Sequence, residues 1–154
     1  MSELQAPSLT VGDMVCGEFR VISTNRVRWY GDGLVTAATG TLSKISSNIH
    51  TDADYAREQG LEEPIADGML GTNWISSLLL TTFGPNYLMS GRLRTKFIKP
   101  VQVGLAARPV LQLRRCLETA SVVSYEMDVW VEDSAGAKLT VGESSVGVRV
   151  APEG

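Results

Sequence analysis

The sequence predicts an α+β domain in which an antiparallel sheet wraps a single buried helix. Three observations predict it. Residues 68–83 place Met69, Leu70, Trp74, Ile75, Leu78, Leu79 and Leu80 around most of a helical circumference, and a helix apolar nearly all round belongs inside a fold. Residues 92–98, 121–131 and 139–150 alternate with a two-residue period, as strands with one buried face do. These strands follow the helix consecutively, with residues 133–136 supplying a hairpin turn between the last two, which is the order of an α+β chain.

Each element has its own signal. Residues 18–30 are rich in β-branched and aromatic side chains (Phe19, Val21, Ile22, Val27, Trp29, Tyr30) and read as strand. Gly31, Asp32 and Gly33 then read as a tight turn. Residues 34–42 fit helix and strand equally. Residues 52–59 are good helix formers, with Thr51 or Asp52 as cap and Gly60 as stop. Glu62, Glu63 and Pro64 form a loop, and Gly84-Pro85 ends the apolar helix. In residues 92–98, Arg92, Arg94 and Lys96 alternate with Leu93, Thr95 and Phe97; in 121–131, Val123, Tyr125, Met127, Val129 and Val131 share one face. Leu139 and Val141 give way to Val146, Val148 and Val150, so a bulge is expected near residues 143–145. One domain spans 1–154, with 1–8 a loose arm and 151–154 a tail.

Composition narrows the function. With 154 residues and 44% hydrophobic content the chain can fill one core. A net charge of -3 argues against nucleic acid, whose phosphates call for a basic surface. Two cysteines, Cys16 and Cys116, and one histidine make neither a disulfide framework nor a metal site. The start of the chain lacks a signal-peptide pattern, and no run approaches the ~18 apolar residues of a membrane span. The expectation is a soluble, cytoplasmic protein.

The chemistry concentrates in Asn48-Ile49-His50-Thr51-Asp52 and Ile65-Ala66-Asp67-Gly68-Met69. His50 is the only histidine, and an imidazole with an ordinary pKa of about 6.5 suits proton transfer near neutrality. Gly68 opens the apolar helix, whose first amides are unpaired and lie at the positive end of its dipole. Glycine there lets a carbonyl approach closely. An imidazole and a helix N-terminus together can move a proton and polarise a carbonyl. Asp52 reads as a helix cap. Asp67 either orders the turn or hydrogen-bonds His50, and Asn48 is either a turn residue or a substrate donor. Neither cysteine has a base nearby in sequence, so nucleophilic catalysis by them is not expected.

Residues 48–101 resemble the MaoC-like (R)-specific enoyl-CoA hydratases and dehydratases of the hotdog fold. The resemblance is carried by the two motifs above, by Tyr55-Ala56 with Gly60, by Phe97-Ile98-Lys99-Pro100-Val101 with Gly104, and by Val11-Gly12-Asp13 near the start. It implies a long central helix wrapped by a curved sheet, a dimer, and an acyl-thioester site between protomers. It implies hydration or dehydration of an enoyl or 3-hydroxyacyl thioester. His50 is then the acid/base, Asp67 or Asn48 the orienting group, and Gly68 with Met69 the oxyanion site. Coenzyme A or an acyl carrier is part of the substrate, and no cofactor or metal is implied. Arg92, Arg94 and Lys96, with Lys99 beyond, are candidates for the carrier's phosphates, against the alternative of a solvated strand face.

The chain departs from the family pattern in two places. The family's aspartate five residues before the histidine is Ile45 here, and its asparagine three before is Ser47. Asp67 stands where many relatives have a second histidine. Asp32 is a candidate for a displaced carboxylate. Two other readings follow: a non-catalytic hotdog subunit completed by a different hotdog chain, and a thioesterase. Residues 69–83 carry no carboxylate, which counts against the thioesterase.

Overall fold

A computed structural model of the protein describes residues 7–150; the expected tail and most of the expected arm lie outside them. The remainder of that arm is tethered, because the Tyr125 hydroxyl donates to the Pro7 carbonyl at 3.3 Å. The described elements run β1 (Met14–Cys16), β2 (Arg20–Val21), α1 (Thr24–Thr39), α2 (Ala53–Glu58), α3 (Gly68–Phe83), α4 (Pro85–Ser90), β3 (Arg92–Phe97), β4 (Ala106–Glu118), β5 (Val122–Asp133) and β6 (Lys138–Arg149). The strands form one antiparallel sheet in the order β1-β4-β5-β6-β3, with β2 also paired to β4.

Helix α3 lies across the inner faces of β3, β4, β5 and β6. Leu70, Trp74, Ile75, Leu79 and Phe83 are buried there with Leu111, Met127, Val129 and Val146. Ile75 and Leu79 are fully enclosed, and each such side chain contributes about 2–3 kcal/mol by leaving water. Met69 and Leu80 stay largely exposed, so the helix buries one broad face and not its whole circumference. No helix among the described residues is long and apolar enough to cross a membrane.

Residues 18–30 are not a continuous strand. Only Arg20–Val21 pair, and a helix runs from Thr24 through the expected turn at 31–33 to Thr39. Ser23 starts it by accepting the Arg26 amide at 3.3 Å. Val27, Tyr30, Gly31 and Val35 recur at helical spacing and turn inward, and this period outweighs the β-branched content. Gly40, at φ 71°, ends the helix by donating to Thr36. Gly31 serves packing, since a Cβ there would lie 2.6 Å from Ile45 Cδ1.

The hairpin turn is present: Asp133 Oδ1 accepts the amides of Ala135 and Ala137, both at 2.9 Å. The bulge lies elsewhere than expected. Register runs unbroken through Asp128↔Glu143, Met127↔Ser144 and Glu126↔Ser145. Thr140, Ser144, Val146 and Val148 all face inward, and the hydrophobic pattern changes only because two of these inward residues are polar. The extra residue is Leu139, between the pairs Val131↔Thr140 and Glu132↔Lys138. Pro109 sits inside β4 between the end of the β1 pairing at Val110 and the start of the β2 pairing at Ala107; its carbonyl accepts the Gly17 amide at 2.9 Å, and only the return donation is absent.

Candidate active site

Two short segments build the site. In the first, Asn48 folds the chain back on itself. Its Oδ1 accepts the His50 amide at 2.8 Å, and its carbonyl accepts the amides of Thr51 and Asp52, both at 3.1 Å. Arg28 Nη2 donates to the Thr51 carbonyl at 3.1 Å, tying the loop to α1. Asp52 caps α2 through the amides of Asp54 and Tyr55. These bonds, chiefly the one from Tyr55 and then one from Ser47, hold its carboxyl below its ordinary value. The backbone on both sides of His50 is therefore held.

The second segment, residues 64–67, is clamped from two sides. The Ile65 amide donates to the Ile49 carbonyl, the Ala66 amide to the Val101 carbonyl, and the Val103 amide to the Pro64 carbonyl. The clamp presents the Ile65 carbonyl to the histidine ring, 2.8 Å from Nδ1. A carbonyl can only accept, so Nδ1 carries a proton, and in the neutral ring Nε2 holds the lone pair. The ring is oriented and its basic nitrogen left free.

Helix α3 starts where this segment ends. Asp67 Oδ1 accepts the Met69 amide at 2.8 Å, and its carbonyl accepts the Leu70 amide at 3.0 Å. Gly68 is the first helical residue, so its amide has no partner within the helix. The Phe97 ring lies against it: a Cβ at position 68 would be 2.8 Å from Phe97 Cδ2. His50 and Gly68 line one cavity of about 320 Å³, together with Ile65, Ala66, Phe97, Ile98, Lys99, Pro100, Val101 and Thr140. A mostly apolar wall with a free imidazole nitrogen and a helix-start amide suits an acyl group bearing a polarisable carbonyl.

The description "MaoC like domain" belongs to the family model that matches residues 46–134, more than half of the chain. The chain belongs to the MaoC-like family. Among solved structures it is similar to the R-hydratase PhaJ1 of Pseudomonas aeruginosa, at 23% identity, TM-score 0.67, and coverage of 96% of this chain and 92% of that one. It is similar to the MaoC-like dehydratase of Rhodospirillum rubrum, at 14% identity, TM-score 0.72, and coverage of 94% and 96%. It is also similar to the HadBC 3R-hydroxyacyl-ACP dehydratase complex of Mycobacterium tuberculosis, at 10% identity, TM-score 0.61, and coverage of 90% and 96%. No curated protein matches it by sequence. The fold is the hotdog fold, and the family is one of hydratases and dehydratases.

Within this MaoC-like domain the other residues singled out from sequence divide clearly. Asn48 shapes the loop and bonds the backbone of His50, not its ring. Asp67 caps α3, and the Ile65 carbonyl takes the orienting place on Nδ1. The Met69 amide is committed to Asp67, leaving Gly68 as the amide at the cavity. Asp32 accepts the Ile45 amide at 2.7 Å, and both line a separate cleft of about 440 Å³ against α1. Ile45, at the family's aspartate position, packs on Gly31 and does not line the histidine cavity.

Arg92, Arg94 and Lys96 point outward, whereas Leu93, Thr95 and Phe97 face inward with Ser144, Gly142 and Thr140 opposite them. Arg92 and Arg94 line an outer-face hollow with Arg114, Glu126 and Glu143. Lys99 is the cation at the histidine cavity. Trp74 is in the core, and Trp29 is 74% exposed in the protomer. Cys16 and Cys116 are exposed free thiols outside the cavity. Sequence reasoning did not find the Ile65 carbonyl or Thr140: a backbone acceptor leaves no compositional mark, and Thr140 reaches the cavity only through the pairing of β6 with β3.

Proposed function

We propose that the protein is a hydro-lyase acting on an enoyl or 3-hydroxyacyl thioester. One observation carries this reading: a histidine with Nδ1 committed to a carbonyl shares an apolar cavity with the first amide of α3. In hydration, His50 Nε2 takes a proton from water as the water oxygen bonds to the β-carbon. The electron pair of the double bond moves toward the thioester oxygen, which the Gly68 amide stabilises. The imidazolium then returns its proton to the α-carbon, giving the 3-hydroxyacyl thioester; dehydration reverses each step. One imidazole serving both transfers is consistent with a cavity whose lining residues include no carboxylate.

In this reading Lys99, which lines the cavity, pairs with a phosphate of coenzyme A or of a carrier protein's prosthetic arm. A homodimer is part of the proposal: β3 is an edge strand, with Phe97 and Ile98 exposed at its end.

The test is the loss of enoyl-thioester absorbance when purified protein meets crotonyl-CoA. His50→Ala should lower kcat roughly 10²–10⁴-fold with its melting temperature held. Activity unchanged in that variant would falsify the assignment.

The missing carboxylate also favours a second reading, a subunit of a heteromeric hydratase, as the relative HadBC is a complex. That reading predicts a chain inert alone and active with a second hotdog chain recovered from the native source.

A further inference from the structure

We propose that the Thr140 hydroxyl is the second hydrogen-bond donor to the thioester carbonyl, completing with the Gly68 amide a two-donor oxyanion site. The inference rests on the hydro-lyase reading and adds to it a residue on the opposite wall.

Thr140 is 2% exposed, on β6, with Phe97 and Val131 as its cross-strand partners. Two other buried hydroxyls are bonded: Ser144 donates to the Arg92 carbonyl at 2.7 Å, and Thr51 to the Ser46 carbonyl at 3.3 Å. The Thr140 hydroxyl bonds to none of the described residues. No fully enclosed side-chain oxygen or nitrogen among those residues lacks a partner. The Thr140 oxygen therefore retains an opening, and Thr140 lines the cavity shared with His50 and Gly68. A hydroxyl with no partner among the described residues and an opening beside it can donate to a group that arrives with the ligand.

Its position selects which group. A Cβ at Gly71 would lie 3.1 Å from Thr140 Oγ1, so the absence of a side chain at 71 makes room for the hydroxyl beside α3. Gly68 and Gly71 are three residues apart and share one face of the helix. The hydroxyl thus stands beside the first turn of α3, on the face that Gly68 and Gly71 share. The neighbouring Met69 amide is occupied by Asp67, leaving one backbone donor for a developing oxyanion, and Thr140 supplies another.

Thr140→Val keeps the shape and removes the hydroxyl; Thr140→Ser keeps the hydroxyl. With crotonyl-CoA, Thr140→Val should lower kcat by about 10²-fold, the usual effect of deleting an oxyanion donor. KM should change little, and the melting temperature should not fall. Thr140→Ser should recover most of the rate. Butyryl-CoA, which cannot be hydrated, reports the hydrogen bond without turnover. Its thioester carbonyl stretch should move to lower frequency on binding to the wild-type protein, and less on binding to Thr140→Val.

Wild-type kcat and an undiminished carbonyl shift in Thr140→Val would overturn the assignment, as would equal losses in the Val and Ser variants. A wild-type protein that hydrates no enoyl-CoA overturns the reaction instead. The carbonyl shift then decides on Thr140 alone: diminished in the Val variant it stands, and unchanged or absent in wild type it fails.

Discussion

Substituting Gly68 with alanine probes the helix start directly. The new methyl would lie 2.8–2.9 Å from three carbons of the Phe97 ring, so the ring must move by several tenths of an ångström or more. Overpacking of an enclosed core costs about 1–3 kcal/mol. Phe97 is 49% exposed and can yield, which places the cost near ~1 kcal/mol. Alanine regains roughly 0.5 kcal/mol of backbone entropy in a helix. The net destabilisation is then under ~1 kcal/mol, or a fall of about 2–4 °C at most for a domain of this size. Activity should suffer far more, because the methyl and the displaced ring crowd the amide proposed to meet the carbonyl. A loss of roughly 10²–10³-fold in kcat is expected. The assays are crotonyl-CoA hydration and thermal melting on the same preparation. A Gly68→Ala protein with kcat within about threefold of wild type would refute the placement of the carbonyl at α3, since a lost oxyanion donor costs far more.

The remaining predictions address the residues around the site. Ile45→Asp should not raise the hydration rate, because position 45 faces Gly31 and not the histidine cavity; a gain in rate would show that the loop rearranges to admit a carboxylate. The Asp52 carboxyl is held below its ordinary value of 3.8. Its contribution is therefore complete above that pH and lost as pH falls through the lower folded-state value. Asp52→Ala should melt lower at pH 7 and show a flatter pH dependence below about pH 4, read by circular dichroism. Burial raises the pKa of Glu132, but the Trp130 indole N–H and the Arg108 guanidinium outweigh it and hold the carboxyl below 4.5. Glu132→Gln should cost about 2 kcal/mol in urea unfolding, with the difference shrinking as the wild type is acidified below pH 4.5. An unchanged unfolding midpoint would remove Glu132 from the account of stability.

Pattern alone settles the parts of this protein that depend on local chemistry. The apolar run from Met69 to Leu80, the Asp52 cap, the Gly84-Pro85 stop and the alternation of β5 are properties of neighbouring residues, and they hold wherever the segment packs. The motifs around His50 and Gly68 likewise announce the family. Residues 18–30 read as strand from their β-branched and aromatic content, and the burial of Val27 and Gly31 on one face of a helix overturns that reading. The site required the tertiary structure for a related reason. Whether Asp67 meets an imidazole or an amide, and whether Arg94 and His50 share a side of the sheet, depends on contacts between segments far apart in the chain. Ile65 and Thr140 line the cavity only because strand pairing and the clamp at 64–67 bring them there. Composition specifies which groups are available; three-dimensional packing specifies which of them are already bonded and which remain free to act.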